Sequence, residues 1–183
     1  MHATPPFSTP MTAEELEHVS YPDKVTELIR GRLVVREPPG TRHGAIASRL
    51  THLLADFVYR NGRGVVFAQD TGFQIQSNPD TVRAPDVAFL AEERAGAIHD
   101  RGYARVAPDI VAEVLSPDDR PGEVRDKVAD WLAAGVKLVW VIDPRRRAGD
   151  VYRADGSVAT GESHLDGENV LPGFTCAVDD VLL

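Results

Sequence analysis

The sequence predicts an α/β domain with a mixed central sheet flanked by helices, and three observations predict it. Short apolar runs bounded by Gly, Pro, Asn and Asp read as strands. One long segment, from Arg42 to Asn61, repeats its apolar residues at intervals of three and four, the period of a helix. Further on, an apolar run, an amphipathic stretch and a second apolar run follow one another, and such a crossover joins parallel strands. At 183 residues, 43% hydrophobic and 26% charged, the chain suits one packed domain.

In chain order, residues 1–11 read as a flexible arm and residues 12–183 as a single domain. Thr12-Ala13-Glu14-Glu15 has the spacing of a capping box and starts a short helix. Val25 to Ile29 and Leu33 to Val35 flank Arg30-Gly31-Arg32, a hairpin that turns at Gly31 and is ended by Pro38-Pro39-Gly40. The long helix turns Ile46, Leu50, Leu53, Leu54, Phe57 and Val58 to one side and stops at Gly62. Val65 to Phe67, Gly72 to Ile75 and Val82 to Leu90 read as strands. Asp109 to Leu115 (DIVAEVL) is apolar enough for burial on both faces. A helix from about Asp119 to Ala134 and a second buried strand, Lys137 to Ile142, complete the crossover. A hairpin around Asp155-Gly156 and an apolar C-terminal stretch follow.

The composition narrows the function classes. The lone Cys176 has no disulfide partner within the chain, and the six histidines show no i, i+3 or i+4 pair for zinc. No apolar run approaches the roughly 20 residues of a membrane span, and the Pro-rich start lacks the basic and apolar regions of a secretory leader, so a cytoplasmic protein is expected. No Gly-rich phosphate loop follows any strand, which argues against a nucleotide-binding Rossmann domain. The formal charge of -8 opposes a generic nucleic-acid coat. From Val151 to the end, however, one basic residue faces six acids, a net -5 that leaves only -3 for residues 1–150.

Three charged residues stand where the patterns place buried faces. Alternation puts Ala84, Asp86 and Ala88 on one face of their strand, and Val111, Glu113 and Leu115 on one face of theirs. Isolated buried carboxylates cost several kcal/mol unless paired or bound to a cation, and one metal ion would account for both. On the following helix, Val124, Lys127, Val128, Trp131 and Gly135 form the inward stripe, with Asp126 and Asp130 turned away. Hard oxygen donors suit Mg²⁺ (or Mn²⁺), which keeps waters and phosphate oxygens in its shell, and Lys127 could position or help deprotonate an attacking water. Structural alternatives stand beside these readings. Asp86 could cap a turn, Glu113 could pair with Arg83 or Arg125, and Lys127 could lie along Trp131 with its ammonium in solvent. Glu27 is an auxiliary ligand candidate or a charge on an edge strand, and His43 reads as a surface or capping histidine.

With these residues the chain resembles the Uma family of endonucleases, within the restriction-endonuclease-like PD-(D/E)XK superfamily. The matching stretches are TAEEL, TELIRGRLVV, RHGAIASRLTHLL, APDVAFL, PDIVAEVLSPDD, DKVADWLAAGVKLVWVIDP and LPGFTCAVDDVL, together reaching from about Thr12 to the end. The resemblance implies metal-dependent phosphodiester cleavage of DNA. Asp86 matches the aspartate of the PD half-motif and Glu113 the second acid, with the Val114 carbonyl completing the metal shell. The superfamily lysine usually lies two residues after that acid, where this chain has Leu115, and Lys127 matches the migrated lysine of the family. Two departures are the basic hairpin around Arg30 and Arg32, and Trp131 near a customary tyrosine, a change expected to leave the chemistry alone. Arg30, Arg32, Arg145, Arg146 and Arg147 are the groups expected to follow the DNA backbone. A homodimer is expected, because cutting a duplex takes two sites or two visits. The alternative is a nuclease-fold domain without catalysis that binds nucleic acid or protein.

Overall fold

Residues 9–183 are described by the computed structural model, and their strands sort into two principal sheets. The larger has the spatial order β10 (Val158–Glu162), β9 (Ala148–Arg153), β8 (Leu138–Asp143), β7 (Ile110–Val114), β6 (Val87–Ala91) and β3 (Gly64–Phe67). β7 and β8 are parallel and the other neighbours antiparallel, so the sheet is mixed, as the crossover predicts. The smaller sheet is antiparallel, in the order β2 (Arg32–Arg36), β1 (Val25–Ile29), β5 (Thr81–Arg83) and β4 (Phe73–Gln76). β11 (His164–Asp166) and β12 (Thr175–Ala177) form a short separate ribbon.

Helices cover both faces of the larger sheet. α2 (Thr41–Arg60) lays Ile46, Leu50, Leu54 and Val58 against Val87, Phe89, Ile110, Ala112 and Val114. On the other face, α3 (Pro121–Ala133), with its proline in the first turn, packs Val128 and Trp131 against Ala88, Val111, Val139 and Val141. The period-two reading of β7 therefore holds. Its even-numbered residues meet α2, while Val111, Glu113 and Leu115 face α3. α1 (Ala13–Glu17) has the predicted capping box, and α4 (Val178–Val181) closes the C-terminal end of the core.

The β1–β2 hairpin turns where Arg30 and Gly31 both have positive φ, at 49° and 74°. A Cβ on Gly31 would lie 2.3 Å from that of Pro10, and Met11 donates to the Gly31 carbonyl at 2.9 Å. The expected arm thus ends docked on the hairpin, while its residues 1–8 lie outside the described residues.

Two expectations need correction. Val82 to Leu90 is not one strand: Pro85 cannot donate to a ladder, and the chain leaves the smaller sheet after Arg83 and enters the larger at Val87. Asp86 lies at that passage. Glu27 is not on an edge strand either, because β1 pairs with both β2 and β5. Among the described residues no helix is long and apolar enough to cross a membrane.

Asp109, just ahead of β7, was not singled out by pattern, yet its carboxylate is fully buried. It accepts from the Ala91 amide at 2.9 Å, from Arg94 at 2.8 Å and from Lys137 at 2.9 Å, joining β6 to the chain leading into β8. Burial favours the neutral acid, but these donors outweigh it and hold Asp109 below the usual carboxylate range. Such a group stabilises the fold above its ordinary pKa, and the stabilisation is lost as pH falls through the lower folded value. Asp109→Ala should cost about 2–3 kcal/mol near neutral pH, chiefly by orphaning the Ala91 amide, since the two cations can hydrate. Urea unfolding between pH 7 and 2 should show the deficit shrinking toward the acid end.

Candidate active site

The site forms where the two sheets and both long helices meet, in a cleft of about 590 Å³ whose walls include Glu27, Arg36, His43, Asp86, Glu113 and Lys127. Asp86 arrives from the passage between β5 and β6. Its Oδ2 accepts from the Val114 amide at 2.7 Å, which locks it to the end of β7. Glu113 comes from β7 on the α3 face and is itself buried. Its Oε1 accepts from the Trp131 indole at 2.8 Å and its Oε2 from the Lys127 ammonium at 2.8 Å. Trp131 and Lys127 are four apart on α3 and share its inward face, so one helix presents both donors. Lys127 also donates to the Ala84 carbonyl at 3.3 Å and lies 3.8 Å from Glu27.

The predicted trio of Asp86, Glu113 and Lys127 is therefore brought together, and Glu27 stands behind it. Glu27 is occupied by other partners: its Oε1 accepts from the Ala84 amide at 3.1 Å and its Oε2 from Arg83 at 3.0 Å. Arg83 extends its other nitrogen to Asp130 at 2.5 Å. That reverses the expected orientation of Asp130, which faces inward because a buried guanidinium demands a second acceptor. Arg83 accordingly does not pair with Glu113.

His43 is not a surface residue. Its side chain is 10% exposed, and Nε2 meets Asp86 Oδ2 at 3.0 Å. Gln69 offers its amide nitrogen to His43 Nδ1 at 3.1 Å and to Asp86 Oδ1 at 3.4 Å. An acceptor role at Nδ1 puts the imidazole proton on Nε2, where it is donated to Asp86. The Val114 carbonyl faces the same ring. Gln69 has no sequence signal, and the only hint for His43 is its place near the start of the long helix. Trp131 was expected to leave the chemistry alone, but its indole is a hydrogen-bond donor to the second acid.

The electrostatics follow from this packing. Burial opposes ionisation of Asp86, but the His43 hydrogen bond, the Lys127 charge and the Val114 amide hold it below the ordinary carboxylate range. Burial pushes Glu113 up to about 7, and repulsion from Asp86 adds to this against the pull of Lys127. Burial disfavours the ammonium of Lys127, yet Glu113, Glu27 and Asp86 raise its pKa and keep it charged. Burial likewise lowers His43, and Asp86 overrides it and raises its pKa.

The donor chemistry fits a hard divalent cation. Glu113 is buried and Asp86 partly buried, the two repel each other, and the Val114 carbonyl faces the His43 ring that contacts Asp86. Among the described residues no group of three or more His, Cys, Asp or Glu is arranged to hold a metal alone. Carboxylate and carbonyl oxygens are the hard donors Mg²⁺ takes, one or two carboxylates completed by water and substrate oxygens. Asp86, Glu113 and the Val114 carbonyl would hold it.

The five arginines expected to follow a nucleic-acid backbone do not line this cleft. Arg30 pairs with Asp130 at 3.0 Å, Arg146 with Asp150 at 3.0 Å and Arg147 with Asp179 at 2.7 Å. Arg32 and Arg145 are exposed away from it.

The larger sheet is thus mixed with helices on both faces, and Asp86, at the passage between the sheets, meets the β7 strand that carries Glu113. The chain belongs to the Uma2 family: the family model, described as "Putative restriction endonuclease", matches residues 13–179. Among solved structures it is similar to a protein of Anabaena variabilis ATCC 29413 described as "a putative nuclease belonging to DUF820". That likeness has a TM-score of 0.77 and 21% sequence identity over 94% of this chain and 97% of the other. No curated protein matches. Family and fold together support a nuclease-like function.

Trp131→Phe preserves most of the buried ring and removes the donor to Glu113. It should lower stability by about 2 kcal/mol, the scale of a hydrogen bond to a charged group, with the fold retained by circular dichroism and the loss read by urea unfolding.

Proposed function

We propose that the chain is a divalent-metal-dependent endonuclease that hydrolyses phosphodiester bonds of DNA, with Asp86, Glu113 and Lys127 as its catalytic residues. The observation that supports this most strongly is the convergence of a buried and a partly buried carboxylate, which repel each other, with one held ammonium in an open cleft. A bound Mg²⁺ or Mn²⁺ would supply Lewis acidity toward a phosphate oxygen and a water made more acidic.

The protein's own groups have separable tasks. Asp86 and Glu113 would provide the carboxylate oxygens, and the Val114 amide fixes the first of them. Lys127, hydrogen-bonded to Glu113 and the Ala84 carbonyl at the cleft wall, would orient the nucleophile and oppose the negative charge growing on the phosphoryl oxygens. His43, backed by Gln69, restrains the Asp86 carboxylate through its Nε2 proton. A homodimer would present two such clefts to a duplex.

The test is cleavage of labelled single- and double-stranded DNA with Mg²⁺ or Mn²⁺. Asp86→Ala, Glu113→Gln and Lys127→Ala should each lower kcat by at least about a hundredfold, and a chelator should abolish cutting. If all three variants cut like the wild type, the assigned site is wrong. A wild type that binds DNA and never cuts under any divalent ion supports the binding-domain reading instead. His43→Ala should weaken Mg²⁺ binding by about 10- to 100-fold in calorimetry, the range typical when support of a metal ligand is removed.

A further inference from the structure

The cleft is lined by eight acidic side chains and, among the described residues, only two permanently basic ones, Arg36 and Lys127. Lys127 is committed to Glu113 and the Ala84 carbonyl. Arg36, at the end of β2, is not committed in this way. Its Nε lies 3.9 Å from Glu27 and its Nη1 3.6 Å from Glu123, both beyond hydrogen-bonding distance. Its Nε is buried with no partner, and the side chain as a whole is 40% exposed. A guanidinium has five N–H donors in a planar fork that matches two oxygens of a phosphate. Here none of them makes a hydrogen bond within the described residues.

The other arginines near the site differ in this respect. Arg83 is clamped between Glu27 and Asp130, and Arg30 is hydrogen-bonded to Asp130. Glu27 is already satisfied by Arg83 and the Ala84 amide, so it gains little from drawing Arg36 closer. Glu123 is half-exposed, and such a loose surface pair holds its arginine weakly. A substrate phosphate entering the cleft would be the strongest acceptor within reach.

We infer that Arg36 is a substrate-binding residue, which anchors a non-bridging phosphate oxygen of the strand lying in the cleft. The inference rests on the nuclease reading above. It assigns ground-state binding to a residue outside the proposed catalytic trio, the cation lining the cleft that makes no hydrogen bond within the described residues. Arg36 forms no hydrogen bond with Asp86, Glu113 or Lys127, so its loss leaves their contacts in place.

The experiment measures binding of a fluorescent single-stranded oligonucleotide and its duplex by anisotropy at several salt concentrations, with Ca²⁺ in place of Mg²⁺. Steady-state cleavage in Mg²⁺ and urea unfolding are run on the same proteins. Arg36→Ala should weaken binding and raise KM about tenfold or more, with kcat changed less than about threefold. The slope of log affinity against log salt should fall by about one unit. Arg36→Lys should keep that slope while recovering only part of the affinity, because it retains the charge and lacks the fork.

Unchanged affinity and slope in Arg36→Ala would overturn the proposal while leaving the nuclease reading intact, as would a loss confined to kcat. A fall in stability with unchanged affinity in Arg36→Lys also overturns it, for Arg36 is then only a counter-ion to Glu27. A wild type that neither binds nor cuts refutes the nuclease reading itself, and this proposal with it.

Discussion

Arg83 sits on the last residue of β5 with 3% of its side chain exposed, one arm on Glu27 of β1 and the other on Asp130 of α3. A guanidinium so far from water is tolerable only with both acceptors in place, because an unpaired buried charge costs several kcal/mol. The two ion pairs therefore tie the smaller sheet to the helix that covers the larger one. That helix carries Lys127 and Trp131, which hold Glu113, and the strand that carries Arg83 leads directly into Pro85 and Asp86. If this linkage slipped, the acids would lose their relative position.

The charges form two linked groups. In the rear group Arg83 lies between Glu27 and Asp130, and in the front group Lys127 lies between Glu113, Glu27 and Asp86. Arg30 also pairs with Asp130, so the two groups together hold four carboxylates against three cations. The surplus is most acute at the front, where burial and the neighbouring Asp86 raise Glu113 to about 7. A site with unrelieved negative charge, open to solvent through its cleft, is prepared for a cation, and the protein itself supplies too few.

The net charge of -8 carries a related lesson. The arginines of the hairpin and of the turn after β8 look available in a linear reading, yet Arg30, Arg146 and Arg147 are hydrogen-bonded to nearby acids. Sequence position reports how many basic groups a segment has, whereas their availability depends on the acids folded against them. Arg36 has no feature in the linear sequence to separate it from Arg32, four residues earlier on the same strand. What distinguishes it is the cleft it borders and the acceptors it lacks.

Periodicity alone determined much of this protein. The three-and-four spacing in α2, the alternation in β7 and the inward stripe of α3 follow from local geometry, so they assigned the core faces and put Glu113 and Lys127 on opposed inward surfaces. The break at Pro85 was also legible in principle, since a residue without an N–H cannot serve in the middle of a ladder. The tertiary structure alone decided how distant segments meet. His43 and Gln69 reach Asp86 across 43 and 17 residues of chain, and Asp130 reaches Arg83 across 47. Those pairings are set by the packing of α2 and α3 on opposite faces of the sheet and by the need of each buried charge for a partner. Neither condition leaves a period or a motif in the linear sequence.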